Sequence, residues 1–316
     1  MRRLFIKIAG LAVAGALVSA CGGSDDDHGT LAQVAQGQGF SALIAAAQKA
    51  GLEDDLSAAS ASLTVFAPTN AAFNTLATQL GFADAGAMVN ALPAAALANI
   101  LSYHVLPARR TAADLVAGGA TQPTLYSFGG SAATLRLATT GGVSITDAVL
   151  TTSRVTTADV PASNGVIHVV DKVLVPPGVL NIVQMAQANP AFSSLVNAVV
   201  ATGLTGALSG AGPLTVFAPT NDAFAAAPGG LTTPQLTTVL QYHVLGSQVL
   251  STGIPFGTPV PTLAGQNITI NAGTAPVIAT ITDTTATRAN ITAVDVRASN
   301  GVIHVINKVL IPSLAS

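Results

Sequence analysis

Two rhythms of apolar residues run along this chain, and they occur twice in the same order. Phe40, Leu43, Ile44, Ala47, Leu52 and Leu56 recur at three- and four-residue spacing, with Gly51 as an interruption. That spacing lines one face of an amphipathic helix. Phe192, Leu195, Val196, Val199 and Val200 repeat it, broken by Gly203. A β-favouring run, Leu63-Thr64-Val65-Phe66, follows and is stopped by Pro68. Thr69 or Asn70 is placed to cap a helix from Ala71. Phe73, one turn in, is expected to pack back toward Phe66, and Phe217 and Phe224 repeat the pair. Leu97, Ile100, Leu101 and His104 then fall at i, i+3, i+4 and i+7, as do Leu236, Val239, Leu240 and His243. Each His is predicted on the apolar face of a last helical turn, where it can bond free carbonyls and favour the helix dipole.

The middle of each copy changes period. Thr134-Leu135-Arg136-Leu137, Val143-Ser144-Ile145-Thr146 and Ile268-Thr269-Ile270 alternate, the pattern of half-buried strands. Asn164-Gly165 and Asn300-Gly301 predict tight turns with positive φ before the last strand. Asp159 and Asp295 precede those turns at matching distance, placed to pair with a nearby His or Lys or to cap a turn.

The repetition extends to identity. Leu63-Thr64-Val65-Phe66-Ala67-Pro68-Thr69-Asn70 recurs 151 residues later, Tyr103-His104-Val105-Leu106 recurs 139 later, and Ser163-Asn164-Gly165-Val166-Ile167-His168-Val169 recurs 136 later. A period this long gives each copy its own core. The 316 residues therefore divide into domains at 30–177 and 178–316. The shrinking offset places 12 extra residues in the first copy, around 81–90.

Charge changes the picture mainly by what it removes. Only 8% of residues are charged, and Arg109-Arg110 is the one adjacent basic pair beyond the N-terminus. Nucleic-acid binding needs clustered Lys and Arg against phosphates, so no nucleic-acid partner is expected. With no Trp in the chain, stacking on sugar faces is poorly served. Residues 1–20 read as a signal peptide: Met1-Arg2-Arg3, an apolar stretch, then small residues. Leu17-Val18-Ser19-Ala20-Cys21 resembles a bacterial lipobox, which makes Cys21, the only cysteine, the candidate lipidation site and membrane anchor. Residues 21–29, polar and glycine-rich, read as a flexible tether. Removing the signal leaves 9 basic against 14 acidic residues, so the lipid rather than surface charge holds the chain at a membrane.

Candidate chemistry is sparse. Two repeated His and an Asp in each copy are residue types that bind metals, but none has close ligand spacing, and no metal or cofactor is expected. No G-x-S-x-G elbow is present. Tyr103, His104, Tyr242 and His243 remain as candidate partner-binding residues, the histidines also reading as buried core groups.

Taken in order, Thr64 to Asn70, Tyr103-His104 and Ser163 to Leu174, all repeated in the second copy with Asn307 in place of Asp171, resemble the fasciclin (FAS1) domain family. The resemblance implies an α+β fold in each of two tandem domains, a twisted β-sheet wedge or sandwich packed with a helical layer. It implies extracellular adhesion modules, with the Tyr-His region implicated in partner binding in some animal members. The resulting expectation is a non-catalytic adhesion module, exported and lipid-anchored in a bacterial envelope, whose partner is an unidentified protein or polysaccharide of a cell surface or matrix. Its alternatives are a structural envelope or biofilm-matrix protein without a dedicated receptor, and a small-ligand binder or enzyme using the repeated His and Asp residues.

Overall fold

The structure, a computed structural model, describes residues 28–275 and 277–314. The expected signal peptide, residues 1–20, and Cys21 lie outside these residues, as does most of the expected tether. In the first copy the helices are α1 (Leu31–Gly37), α2 (Ser41–Ala50), α3 (Glu53–Ser57), α4 (Asn70–Gln79), α5 (Ala85–Ala91), α6 (Ala94–Tyr103) and α7 (Ala112–Ala117). Its strands are β1 (Leu63–Pro68), β2 (Val105–Leu106), β3 (Thr121–Phe128), β4 (Ser131–Ala138), β5 (Ser144–Thr146), β6 (Thr152–Ala162) and β7 (Gly165–Val170). The second copy has α8 (Ile182–Gln187), α9 (Ser193–Ala201), α10 (Thr205–Ser209), α11 (Asn221–Ala225) and α12 (Thr233–Tyr242). It continues with β8 (Leu214–Pro219), β9 (Val244–Leu245), β10 (Pro259–Pro261), β11 (Asn267–Ala272), β12 (Ala279–Thr282), β13 (Ala289–Ala298) and β14 (Gly301–Ile306).

Each copy builds one seven-stranded sheet, ordered β2-β1-β7-β6-β5-β4-β3 in the first and, by matching elements, the same in the second. Among the described residues only β1 with β7, and β8 with β14, run parallel. The architecture is α+β, two tandem domains of curled sheet and helices. The apolar helix faces explain the layering. Val65, Ala67 and Ile167 look toward the helices and share a core with Leu43, Phe73 and Leu101. Phe66 and Val170 look the other way and join Tyr103, Leu115 and Leu135. Phe73 thus packs on the opposite side of β1 from Phe66, contrary to the expected pairing. The reason is the two-residue period of the strand, which sends neighbouring side chains to opposite faces. Phe217 and Phe224 are divided in the same way.

Local signals account for the ends of these elements. Gly51 takes φ 70° and closes α2, since only glycine enters that left-handed region without strain. The Thr69 side chain accepts from the Ala72 amide and is the true cap of α4. Asn70 instead ties two segments, accepting from Ala42 N and donating to Gly39 O. The 12 extra residues of the first copy lengthen α4 to ten residues, against five in α11, and add α5. Among the described residues no single helix is long and apolar enough to cross a membrane.

The Asn-Gly turns differ from expectation. Neither Asn164 nor Gly165 has positive φ, and neither does Asn300 or Gly301. Glycine is required there for another reason: a Cβ on Gly165 would run into the Leu63 carbonyl, and one on Gly301 into that of Leu214. The parallel strands begin too close together for a side chain.

The domains meet at a short junction. Gly178 N donates to Arg297 O, Asn189 Nδ2 donates to Val149 O at 2.8 Å, and the Arg297 guanidinium lies 5.3 Å from the centre of the Phe128 ring. Gly178 has φ 74°, and a Cβ there would enter the Phe128 ring. Gly178→Ala is expected to destabilise the protein by about 1–3 kcal/mol, read by urea denaturation, because strain and overpacking act together.

Candidate functional site

The repeated Tyr-His segment ends helix α6 in the first copy and α12 in the second. Its side chains face inward. Tyr103 and His104 are 2% and 1% exposed, and Tyr242 and His243 are 1% each. The structure therefore places all four candidate partner-binding side chains in the interior, where a partner resting on the folded surface does not touch them. Their hydrogen bonds say what they do instead. His104 Nδ1 lies 2.7 Å from Ile100 O, four residues back on its helix. Its Nε2 accepts from Leu174 N at 2.8 Å, 70 residues further along the chain. The ring is thus neutral with the proton on Nδ1, and it pins the helix end to the segment after β7. His243 repeats this with Val239 O at 2.8 Å and Leu310 N at 2.8 Å. Tyr103 donates to Thr134 O at 3.1 Å and Tyr242 to Asn267 O at 2.8 Å, anchoring the same helices to β4 and β11.

The expected favourable interaction of a charged His with the helix dipole does not arise. Burial pushes His104 down to about 4, against a smaller upward pull from its bond to Ile100. His243 is likewise lowered to about 4, by burial first. A cation here has lost its water, and its Nε2 already faces a donor.

The second histidine pair uses the other tautomer. His168 Nε2 meets Arg110 O at 2.9 Å while its Nδ1 accepts from Asp159 N at 3.2 Å. His304 meets Val249 O at 2.8 Å and accepts from Asp295 N at 3.4 Å. It is the backbone amide of each Asp, rather than its carboxylate, that reaches the ring. Asp159 and Asp295 both have φ 60°, at the irregular stretch of β6 and β13. Their carboxylates bind Ala112 N at the start of α7 and Ser251 N before β10. Turn capping, one of the expected roles, is what they perform.

Two further repeated pairs have roles that the sequence pattern does not assign. Asp147 is fully buried and accepts from Thr151 N, Thr151 Oγ1 and Val175 N. Burial raises it to about 6 although those donors pull the other way. Its counterpart Asp283 accepts from Ile311 N and from Lys308 Nζ at 2.5 Å. Burial also opposes the Asp283 charge, but the bonds from Lys308, Thr285 and Ile311 outweigh it and hold the carboxyl below its usual range. Ile145-Thr146-Asp147 and Ile281-Thr282-Asp283, again 136 residues apart, carried the signal. Thr64 and Thr215 are the other pair. Thr64 donates to Ala108 O and accepts from Arg110 N, and Thr215 does the same with Ser247 O and Val249 N.

These shifts set a pH dependence. A histidine whose folded value lies near 4, below its unfolded value near 6.5, contributes stability above pH 6.5 that is lost as pH falls toward 4. Asp147 runs the opposite way, its contribution falling as pH rises from about 3.8 through about 6. Two histidines outweigh one carboxyl, so stability is expected to fall on acidification through this window. His104→Gln is expected to flatten the slope by close to one proton, about 1.4 kcal/mol per pH unit. Urea midpoints between pH 4.5 and 7 read this directly, and an unchanged slope would mean that the ring titrates freely.

Among the described residues no three His, Cys, Asp or Glu side chains gather in a way that could hold a metal ion. All four repeated histidines have both nitrogens engaged, so none stands ready as a base.

A model of the fasciclin domain matches this chain twice, over residues 38–176 and 190–312. The chain belongs to the fasciclin domain family. Protein sll1483 of Synechocystis sp. is 41% identical over 143 residues, 43% of this chain and 75% of that protein. Transforming growth factor-beta-induced protein ig-h3 of Sus scrofa is 33% identical over 260 residues, which are 80% of this chain and only 35% of that protein. The solved FAS1 domain pair of the insect cell adhesion molecule Fasciclin I aligns with 90% of this chain and 98% of its own, at TM-score 0.43 and 18% identity. In this fasciclin pair the signature residues are joints between segments: a strand-to-helix turn, a helix-end histidine and an asparagine that ties the helical entry to the final hairpin.

Proposed function

We propose that this chain is a non-catalytic adhesion or binding module, exported and tethered to a bacterial envelope through lipid on Cys21. One observation carries the non-catalytic part: every repeated His and Asp is consumed by bonds within its own domain. Fasciclin domains occur in cell-adhesion proteins, which supports adhesion as the task. The lipobox-like run before Cys21 supports export and anchoring. Two domains on one tether raise avidity for a repeated ligand such as a matrix polymer. The contact surface belongs to what differs between the copies, including the α4–α5 extension, rather than to the buried Tyr-His pair.

Capture of the chain starting at Gly22 on matrix proteins, envelope glycans and whole cells tests this. Saturable binding to at least one surface, tighter at high ligand density, is expected; no saturable binding, together with loss of matrix integrity on gene deletion, would favour the purely structural alternative. The double variant Tyr103→Phe, Tyr242→Phe is expected to lose about 1 kcal/mol per domain, one neutral hydrogen bond each. Its capture should equal wild type. Lost capture with unchanged stability would return the tyrosines to the binding surface.

A further inference from the structure

Between α1, α2, α3 and β1 of the first domain lies an apolar cavity of about 290 Å³, walled by Leu31, Leu43, Ile44, Ala47, Leu101 and Ile167. The same place in the second domain, bounded by Ile182, Leu195, Val196, Val199 and Leu240, holds about 30 Å³. Two replacements contribute to this difference. Val199 stands where the first copy has Ala47, and Val183 where it has Ala32. The fold therefore does not demand the space, because the second copy closes it with the same elements. Unfilled apolar volume destabilises a domain, so the open version calls for an occupant.

The mouth indicates which one. Gln33, Gln36, Gln48, Glu53 and Asp55 border it, and among the described residues no Lys or Arg does. Lys49, the nearest cation along α2, is turned away and donates to the carbonyls of Val89 and Asn90. His104 at the floor has both nitrogens engaged. In the second domain Thr205 and Ala207 replace the two acids. We propose that the first domain binds the unbranched alkyl chain of an amphiphile whose head group is cationic or uncharged. The chain fills the cavity and the head rests among Glu53, Asp55 and the glutamines. A methylene occupies about as much space as a water molecule, roughly 30 Å³, which sets the chain near nine or ten carbons. The size sits at the small end for ligand pockets and is too little for a multi-ring cofactor. This ligand site stands apart from the adhesion reading and does not rest on it.

Calorimetric titration of the chain starting at Gly22, which retains every described residue, tests the proposal. The probes are alkyltrimethylammonium ions, alkanols and alkanoates of six to ten carbons, each below its micellar concentration. Affinity is expected to rise about fourfold per methylene. Alkylammonium should bind most tightly and alkanoate least, with one site per chain. The variant Ala32→Val, Ala47→Val imports the side chains of the second domain and should lose at least tenfold in affinity. The surface variant Glu53→Gln, Asp55→Asn keeps the fold and should weaken alkylammonium several-fold while leaving alkanol unchanged. Wild-type binding by the filled variant, or alkanoate binding as tightly as alkylammonium, overturns the proposal. So does alkylammonium binding that ignores the loss of both acids.

Discussion

His104→Ala is expected to lower the stability of the first domain by about 3–4 kcal/mol, and His243→Ala to do the same in the second. Three losses combine. The Leu174 amide, buried beneath the ring, loses its acceptor, and an unsatisfied buried donor costs about 1–3 kcal/mol. The Ile100 carbonyl loses a donor at the end of α6. Loss of the ring also removes packed volume, which adds a cavity penalty. Because two domains are present, each variant should shift one part of the urea transition and leave the other nearer its place. A loss below about 1 kcal/mol would mean that the helix end is held by something other than this ring.

Asn164→Ala and Asn300→Ala are expected to cost about 3 kcal/mol each, for a different reason. One side chain serves three backbone groups. Asn164 Oδ1 accepts from Leu31 N at 2.8 Å, while its Nδ2 donates to Leu56 O at 2.9 Å and Ala58 O at 3.0 Å. Asn300 repeats the pattern with Ile182 N, Leu208 O and Gly210 O. Truncation orphans a helix-start amide and two carbonyls together, and the helical entry segment comes loose from the final hairpin. Asn164→Asp separates the parts: it keeps the acceptor for Leu31 but turns a second oxygen toward two carbonyls. It should be no more stable than the alanine variant. Amide exchange at Leu31 that stays slow in Asn164→Ala would contradict this role.

Much of the fold could be read from the sequence because helix and strand period write directly into apolar spacing. Phe40 to Leu56 gave α2, its glycine stop and α3, and Val143 to Thr146 contained β5. The duplication did the rest, since positions kept in both copies mark what each domain needs. What pattern could not deliver was direction. Phe66 and Phe73 are close in sequence and both apolar, yet the strand sends one to each face of the sheet. Asn164-Gly165 has the composition of a left-handed turn, while its real demand is a tight strand approach at Gly165 and a three-way bond at Asn164. Such bonds span more than 100 residues, and no local rule contains them. The Tyr-His pair shows the same limit. Its repetition signalled importance, and only the contacts show that the importance is internal. Asp147 and Asp283 were legible through their shared Ile-Thr-Asp run, but an isolated acid beside a strand carries no sign that it will be buried.

His104 and His243 are neutral pins, one inside each domain, rather than groups offered to a partner or substrate. Long-range proton–nitrogen NMR of the histidine rings between pH 5 and 7 tests it most directly. His104 and His243 are expected to stay neutral with the proton on Nδ1. A His104 or His243 ring that exchanges tautomers and takes up a proton near pH 6.5 would contradict it.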